Sequence, residues 1–158
     1  MKLMRNTLAA AALLGAQGLL LAGTAAAADD KCKLEITGND MMQYDKKELA
    51  VPADCASVTV TIHHAGKLPA AAMGHNWVLV STPDLTAVAN AGMSAGLAAN
   101  YVADGDKRVL AHTKVIGGGE SASVTFATAA LKKGGDYSYL CTFPGHNALM
   151  RGKFKLGA

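Results

Sequence analysis

Three side chains that bind soft or borderline metal ions lie close together near the end of the chain. They are Cys141, His146 and Met150, in the segment Cys141-Thr-Phe-Pro-Gly-His146-Asn-Ala-Leu-Met150. Thiolate and imidazole together bind zinc or copper, and a weak thioether shifts the preference toward copper. A second histidine, His75, lies far away in sequence and completes a set of two histidines, one cysteine and one methionine. This set is typical of electron-transfer copper centres, so the sequence predicts one bound copper ion.

Residues beside the candidate ligands are expected to orient them. Asn76 is well placed to hydrogen-bond across to the loop that follows Cys141, and backbone N–H groups near Phe143 can donate to the sulfur. Gly74 has no side chain, so its carbonyl can approach the metal on the face opposite Met150. The sequence therefore predicts an ordered second layer around the metal ligands.

Short β-strands must position these ligands. The clearest strand pattern is 57–64, where Val58, Val60, Ile62 and His64 alternate with polar residues and His63. Similar period-2 patterns occur in 34–36, 75–79, 122–126, 137–141 and 154–156, and turns rich in glycine separate them. Regularly spaced short strands of this kind predict an all-β sandwich with Greek-key connections.

One segment has a helical pattern instead. Ser81-Thr82-Pro83-Asp84 is typical of a helix start, and apolar residues at helical spacing follow over 85–89. We expect a short helix that ends at Gly92, followed by a looser glycine- and alanine-rich stretch to Gly105. This helical flap is inserted between strands of a single domain.

The start of the chain resembles a secretory signal peptide. Lys2 and Arg5 precede an apolar run over 8–22, and small residues lead to Asp29. The apolar run is interrupted and shorter than the ~20 residues of a membrane span. We therefore expect cleavage after Ala28, within a residue either way. Residues 1–28 would be removed, and 29–158 would form one copper-binding domain that is not held in a membrane.

The charge of the remaining chain is nearly balanced. Without Lys2 and Arg5 it carries 13 basic and 12 acidic residues, a formal charge of +1 with histidines neutral. The basic residues are scattered along the sequence and define no binding face. Nucleic acid is therefore not an expected partner.

The chain has three cysteines, an odd number for an exported protein. Cys32 and Cys55 have no histidine or methionine at ligand spacing, so they are the natural disulfide pair. Such a bond would close a loop of 24 residues and stabilise the fold by roughly 3 kcal/mol. Cys141 is left without a disulfide partner, and its thiol would instead bind a metal.

Two other functions use some of the same residues. A cysteine hydrolase would take Cys141 as nucleophile and His146 as base, but the sequence offers no orienting group or oxyanion hole. A zinc-binding module, or a protein that stores or carries copper without redox work, is the second alternative. Structural zinc sites normally use four strong ligands, and Met150 is a poor fourth. An electron-transfer role therefore explains more of the set, and we do not expect an enzyme.

The motif Gly74-His75-Asn76-Trp77 and the segment 141–150 resemble those of the azurins, single-domain blue copper proteins of bacterial periplasms with the cupredoxin fold. The Cys-x4-His-x3-Met spacing differs from that of plastocyanin- and pseudoazurin-like proteins. The resemblance implies an eight-stranded sandwich with a helical flap. It implies these ligands: His75, Cys141 and His146 in the equatorial plane, Met150 on the axis, and the Gly74 carbonyl as a distant fifth contact.

The resemblance also implies a monomeric periplasmic electron carrier that docks through an apolar patch around the edge of His146. We call this set the docking patch: Leu68, Met73, Met93, Phe143, Pro144, Gly145 and Ala148. Leu68 and Met93 are equally acceptable as core residues, because Leu and Met are often buried. The implied partners are redox proteins such as c-type cytochromes, nitrite reductase or amine dehydrogenase.

The remaining histidines have structural interpretations. His64 lies on the apolar face of its strand and is expected in the core, whereas His63 and His112 are expected to face solvent. Trp77 lies between apolar residues and is also expected in the core.

Overall fold

The structure is a computed structural model that describes residues 30–157. The predicted signal peptide, residues 1–28, lies outside the described residues, as do Asp29 and Ala158. The predicted cleavage site and the predicted start of the domain therefore stay predictions.

Two sheets form the body of the described chain. Its strands are β1 Lys33–Asn39, β2 Gln43–Tyr44, β3 Glu48–Val51, β4 Ser57–His64, β5 Val78–Ser81, β6 Val109–His112, β7 Ser121–Ala127, β8 Tyr137–Leu140 and β9 Arg151–Leu156. The strand orders are β2-β1-β4-β7 and β3-β9-β8-β5-β6. β1 pairs in parallel with β4 and β3 with β9, and the other pairs are antiparallel.

The predicted all-β sandwich with a helical flap is confirmed. The described residues contain nine strands rather than the eight that were expected, and one of them, β2, has only two residues. β2 forms because the turn after β1 brings Gln43 back to pair with Asn39.

The core lies between the two sheets. In β4 the side chains of Val58, Val60 and Ile62 are fully buried, as the alternation predicts, and His64 is buried on the same face. The Trp77 ring, which is also fully buried, stacks on Tyr139 at 6.0 Å between ring centroids. Burial of side chains of this size contributes about 1.5–3 kcal/mol each, so this layer holds the sheets together.

The helical segments lie mostly between β4 and β6. The α-helices are α1 Ala70–Met73, which the sequence did not indicate, and α2 Leu85–Ala95; the single 3-10 turns are Asp30–Cys32, Thr82–Asp84, Leu97–Ala99, Thr128–Ala130 and His146–Ala148. The prediction that the flap helix ends at Gly92 is wrong, because Gly96 at φ +76° ends it. Gly92 instead lies on the buried face of α2.

α2 covers the outer face of the five-stranded sheet. Leu85 and Val88 of the helix form a buried cluster with Val78, Val80 and Leu140 of the strands. β5 is therefore buried on both faces and does not alternate over its first residues. The expected strand over 75–79 is only partly correct, since β5 begins at Val78 and His75 forms an isolated bridge.

The cysteines form one disulfide and one free thiol, as predicted. Cys32 and Cys55 form a disulfide that links the first 3-10 turn to the loop before β4. Cys141 is free and buried. Within residues 30–157 no helix has the length and apolar character that crossing a bilayer requires.

Gly92 provides a test of how the flap packs. A Cβ at Gly92 would lie 2.1 Å from the backbone oxygen of Tyr101. We expect Gly92→Ala to lower the free energy of unfolding by about 1–3 kcal/mol through overpacking, measured by urea unfolding. Helix propensity alone would raise it by about 1 kcal/mol. The exposed Asn90→Ala on the same helix is the control and should be neutral or stabilising. A Gly92→Ala protein more stable than wild type would contradict this packing.

Candidate metal centre

His75, Cys141 and His146 converge at one end of the sandwich. One donor atom from each lies within 4.8 Å of the others, and all three residues are buried. His75 stands just before β5, Cys141 directly follows β8, and His146 begins the 3-10 turn His146–Ala148. The fold thus joins donors from two separate parts of the chain, as the two motifs predict.

The loop from Cys141 to Met150 is closed on itself. The Cys141 amide donates to the Met150 carbonyl at 2.9 Å, and the Met150 amide donates to the His146 carbonyl at 2.8 Å. The His146 amide donates to the Phe143 carbonyl at 3.0 Å. Gly145 supplies the turn with φ +81°, a conformation that glycine adopts without steric cost. The backbone therefore fixes the spacing of the cysteine, the histidine and the methionine.

His75 is held in one tautomer. Its Nε2 lies 2.9 Å from the Asn39 carbonyl oxygen, so Nε2 carries the proton and donates. Nδ1 then has a free lone pair. This atom is buried and has no hydrogen-bond partner among the described residues. Because buried polar atoms are normally paired, the orphaned Nδ1 fits a bound metal ion.

Burial controls the protonation of the donors. Burial raises the pKa of the Cys141 thiol to about 11, although backbone hydrogen bonds from Asn76 and Phe143 oppose the rise. Burial, with a smaller effect of the neighbouring His75 and His64, lowers the pKa of His146 to about 4. Burial also lowers the pKa of His75. At neutral pH both imidazoles are therefore neutral, which is the form that binds metals, and the thiol needs a cation beside it to ionise.

Met150 lies near His75, and the Gly74 carbonyl lies near Cys141. Met150 is fully buried. A Cβ at Gly38 would lie 2.7 Å from Cδ2 of His75 and 3.2 Å from Cε of Met150, so both side chains fill the space that this glycine leaves. The Gly74 carbonyl oxygen lies 3.9 Å from Cys141 Sγ. A side chain at position 74 would collide with the Ala70 carbonyl at 2.4 Å, so glycine is required there.

Asn76 connects the two ligand segments. Its Oδ1 accepts from the Thr142 amide at 2.9 Å, and its Nδ2 donates to the Thr142 hydroxyl at 2.8 Å. Nδ2 also donates to the Asn100 carbonyl at 2.8 Å, and the Asn76 carbonyl accepts from the Tyr44 hydroxyl. Asn76 is fully buried, so this side chain ties the residue after His75 to the residue after Cys141.

The residues of the docking patch differ in exposure. Leu68 is 42% exposed and Met93 is 45% exposed, so neither is a core residue. Pro144, Gly145 and Ala148 are exposed and Met73 is half-buried. Phe143 is buried at the base of the patch, with its ring 4.5 Å from that of His146.

The histidines outside the donor set lie as their strands predict. His64 stacks on His75 at 4.2 Å between ring centroids. His112 is exposed and His63 is half-buried, with its Nδ1 2.8 Å from the Ser121 hydroxyl.

Several residues of the site were not found from the sequence. Gly38 makes room for His75 and Met150, and Asn39 supplies the acceptor for His75. Asn100 accepts from Asn76. Gly38 and Asn39 carry a turn signal in the sequence, but nothing in that signal relates them to a histidine more than thirty residues away.

The residues present fit a copper ion. A buried thiol, two neutral imidazoles with converging donors and a buried thioether are the soft and borderline ligands that copper prefers. Calcium and magnesium prefer six or more oxygen ligands from carboxylates, carbonyls and water, and the side chains gathered here are nitrogen and sulfur donors.

The chain is similar to known copper proteins. Residues 30–157 match the family described as copper binding proteins, plastocyanin/azurin family. The azurin of Bordetella pertussis is 51% identical over 144 residues, which cover 91% of this chain and 96% of that protein. Azurin-1 of Alcaligenes xylosoxydans xylosoxydans is 55% identical over 126 residues, which cover 80% of this chain and 98% of that protein. Among solved structures, an azurin (iso-2) of the obligate methylotroph Methylomonas sp. strain J gives a TM-score of 0.77 at 46% identity, with 80% of this chain and 98% of that chain covered.

Proposed function

Because the chain belongs to the plastocyanin/azurin family of copper-binding proteins, we propose that it is a periplasmic carrier that passes single electrons between redox proteins through one type 1 copper site. The observation that carries this proposal is the buried cluster of His75, Cys141 and His146. In this cluster the Nδ1 atom of His75 has no hydrogen-bond partner among the described residues, and the buried Cys141 thiol forms no disulfide.

The proposed ligands divide into strong and weak ones. His75 through Nδ1, Cys141 through Sγ and His146 form the equatorial set. Met150 is the axial ligand, and the Gly74 carbonyl is a distant contact on the opposite side. The closed loop 141–150 and the bond from His75 to Asn39 support this division, because they hold the donors independently of any ion.

A copper ion bound there would supply a couple between Cu(I) and Cu(II). The residues of the chain keep that couple fast by restricting movement of the ligands. Buried side chains exclude water from the donors, and the ring of His75 is fixed by its stacking on His64 and its bond to Asn39. A site that changes little in geometry has little reorganisation to undergo when an electron arrives.

The proposed location is the periplasm. Two features support it: the leader-like residues 1–28 and the disulfide Cys32–Cys55. Disulfides persist in oxidising compartments. The match to Azurin-1 covers 98% of that protein with 126 residues, close to the 130 that remain after residue 28. We propose residues 29–158 as the single mature domain.

The proposed contact with partners is the docking patch. Its exposed apolar members Leu68 and Met93 carry no charge, which suits weak and short-lived contacts between redox proteins. The proposed partners are c-type cytochromes, a nitrite reductase or an amine dehydrogenase, and the proposed state in solution is a monomer. The Phe143 ring links the patch to His146 at 4.5 Å.

The colour of the copper-loaded protein tests the function directly. We expect an intense blue absorption when Cu(II) is added to the purified metal-free protein, and bleaching on addition of ascorbate. Cys141→Ser should fold, by circular dichroism, but show no blue band, because the band needs the thiolate. Wild-type protein loaded with Zn(II) is the colourless control. A colourless, redox-silent copper complex of the wild type would favour copper storage or zinc binding instead.

Met150→Ala separates the axial ligand from the equatorial ones. We expect the variant to remain coloured with an altered reduction potential in voltammetry, since a weak thioether tunes the metal and does not hold it. Met41→Ala is the control, because Met41 is 65% exposed and should leave the potential unchanged. Loss of copper from Met150→Ala, or an unchanged potential, would refute this division of roles.

Charges placed on the docking patch test the route of the electron. Leu68→Lys or Met93→Lys should slow electron exchange between the reduced and oxidised protein at least about tenfold, because like charges would meet across the contact. NMR line broadening measures this rate. Ala129→Lys is the control, since it adds the same charge in the turn after β7, at the end that pairs with Ser57. Equal slowing in all three variants would place the contact elsewhere.

A further inference from the structure

Two consecutive residues at the end of the flap have left-handed backbones without being glycine. Asn100 has φ +56° and Tyr101 has φ +51°. Such residues cost about 1–3 kcal/mol each and persist only where surrounding contacts determine the conformation. The contacts of both residues lead to the candidate metal centre.

Asn100 contacts two different segments of the chain through its two oxygen atoms. Its carbonyl oxygen accepts from Asn76 Nδ2 at 2.8 Å, and its Oδ1 accepts from the Val115 amide at 2.9 Å. Asn100 thus bridges the segment that begins at His75 and the segment before β7.

Both partners of Asn100 are next to bonds that position metal donors. Val115 precedes Ile116, and Ile116 exchanges two backbone hydrogen bonds with His75, at 3.0 and 2.8 Å. Asn76 is bonded to Thr142, the residue after Cys141. Asn100 is therefore bonded to Asn76, which holds the Cys141 loop. It is also bonded to Val115, the neighbour of the residue that pairs with His75.

Tyr101 provides a parallel packing contact. Its ring meets Phe143 edge to face at 5.1 Å between centroids, and Phe143 lies 4.5 Å from the ring of His146. Its backbone oxygen occupies the space that a side chain at Gly92 would fill, and the same space borders Thr142. The flap is thereby packed directly against the ligand loop.

We propose that Asn100 is a positioning residue of the metal centre, which fixes the His75 segment and the Cys141 loop relative to each other from the flap. It touches none of the three donor side chains in the hydrogen bonds described, so it acts through Asn76 and Val115. The importance of this role for function rests on the proposed copper site. The mechanical link itself exists in the metal-free protein and can be tested there.

The first test measures access to the buried Cys141 thiol in the metal-free protein with a thiol-reactive dye. Asn100→Ala removes the side-chain acceptor and disfavours the left-handed backbone. Loss of one net hydrogen bond multiplies an open population by roughly three- to tenfold, so labelling should accelerate by that factor. Asn100→Asp keeps both oxygen acceptors and tolerates the left-handed backbone, so it should label at nearly the wild-type rate. Asn100→Gly, which adopts this backbone freely, covers the case in which Asn100→Ala does not fold.

A control separates positioning from general loss of stability. Thr128 lies at the other end of the sandwich and donates to the Cys55 carbonyl at 2.5 Å. Thr128→Ala should lower global stability, by urea unfolding, without a selective increase in labelling. If Asn100→Ala and Thr128→Ala accelerate labelling in proportion to their stability losses alone, the proposed role is refuted.

The second test uses the copper-loaded protein. Asn100→Ala should shift the wavelength of the thiolate-to-copper absorption, Asn100→Asp should restore most of the shift, and Thr128→Ala should cause none. An unchanged wavelength in Asn100→Ala overturns the proposal while the copper function stands. A wild type with no blue band refutes the copper function, and the labelling experiment still decides whether Asn100 positions the loop.

Discussion

The burial of three candidate metal donors, one of which has no hydrogen-bond partner among the described residues, is the constraint on which this structure depends. Cys141 is a free thiol in the core, and His75 presents an unpaired nitrogen beside it. Each buried and unsatisfied polar group costs about 1–3 kcal/mol, so the donors tend to move apart or to reach water. The surrounding contacts oppose that tendency. The loop 141–150 is closed by its own backbone, Asn39 accepts a hydrogen bond from His75, and Asn76 is bonded to Thr142 beside Cys141.

The two ends of the sandwich are held by different kinds of bond. At one end the ligand loop, the turn after β1 and the flap meet around His75. At the other end the disulfide Cys32–Cys55 joins the start of the described chain to the loop before β4. One end is held by a covalent bond and the other by hydrogen bonds, and the core with Trp77 and Tyr139 lies between the two ends. The donors therefore stand on a rigid support.

Local patterns in the sequence predicted most of this fold, and long-range contacts account for what they missed. The alternation in 57–64 and the helix start at 81–84 depend on nearby residues and were predicted correctly. The predicted end of α2 at Gly92 was wrong because a glycine can either end a helix or allow another segment to pack closely against it. At Gly92 the position of the Tyr101 backbone shows that close packing is the reason. Within the site, the donor types and spacing predicted the three residues that converge, His75, Cys141 and His146. Asn39 and Asn100 contribute backbone oxygens, which no residue type reveals.

The bond from the Cys141 amide to the Met150 carbonyl has a consequence for how such sites vary. It makes the ends of the loop part of the β8–β9 pair, so the sheet constrains only those ends. The interior of the loop is held by contacts outside the sheet, from Asn76 and from the flap. Insertions or exchanges between the two ends would alter the surface offered to another protein and the surroundings of the sulfur, while the strands and their register stay as they are. Diversity among proteins built on this scaffold can accumulate there without loss of the architecture.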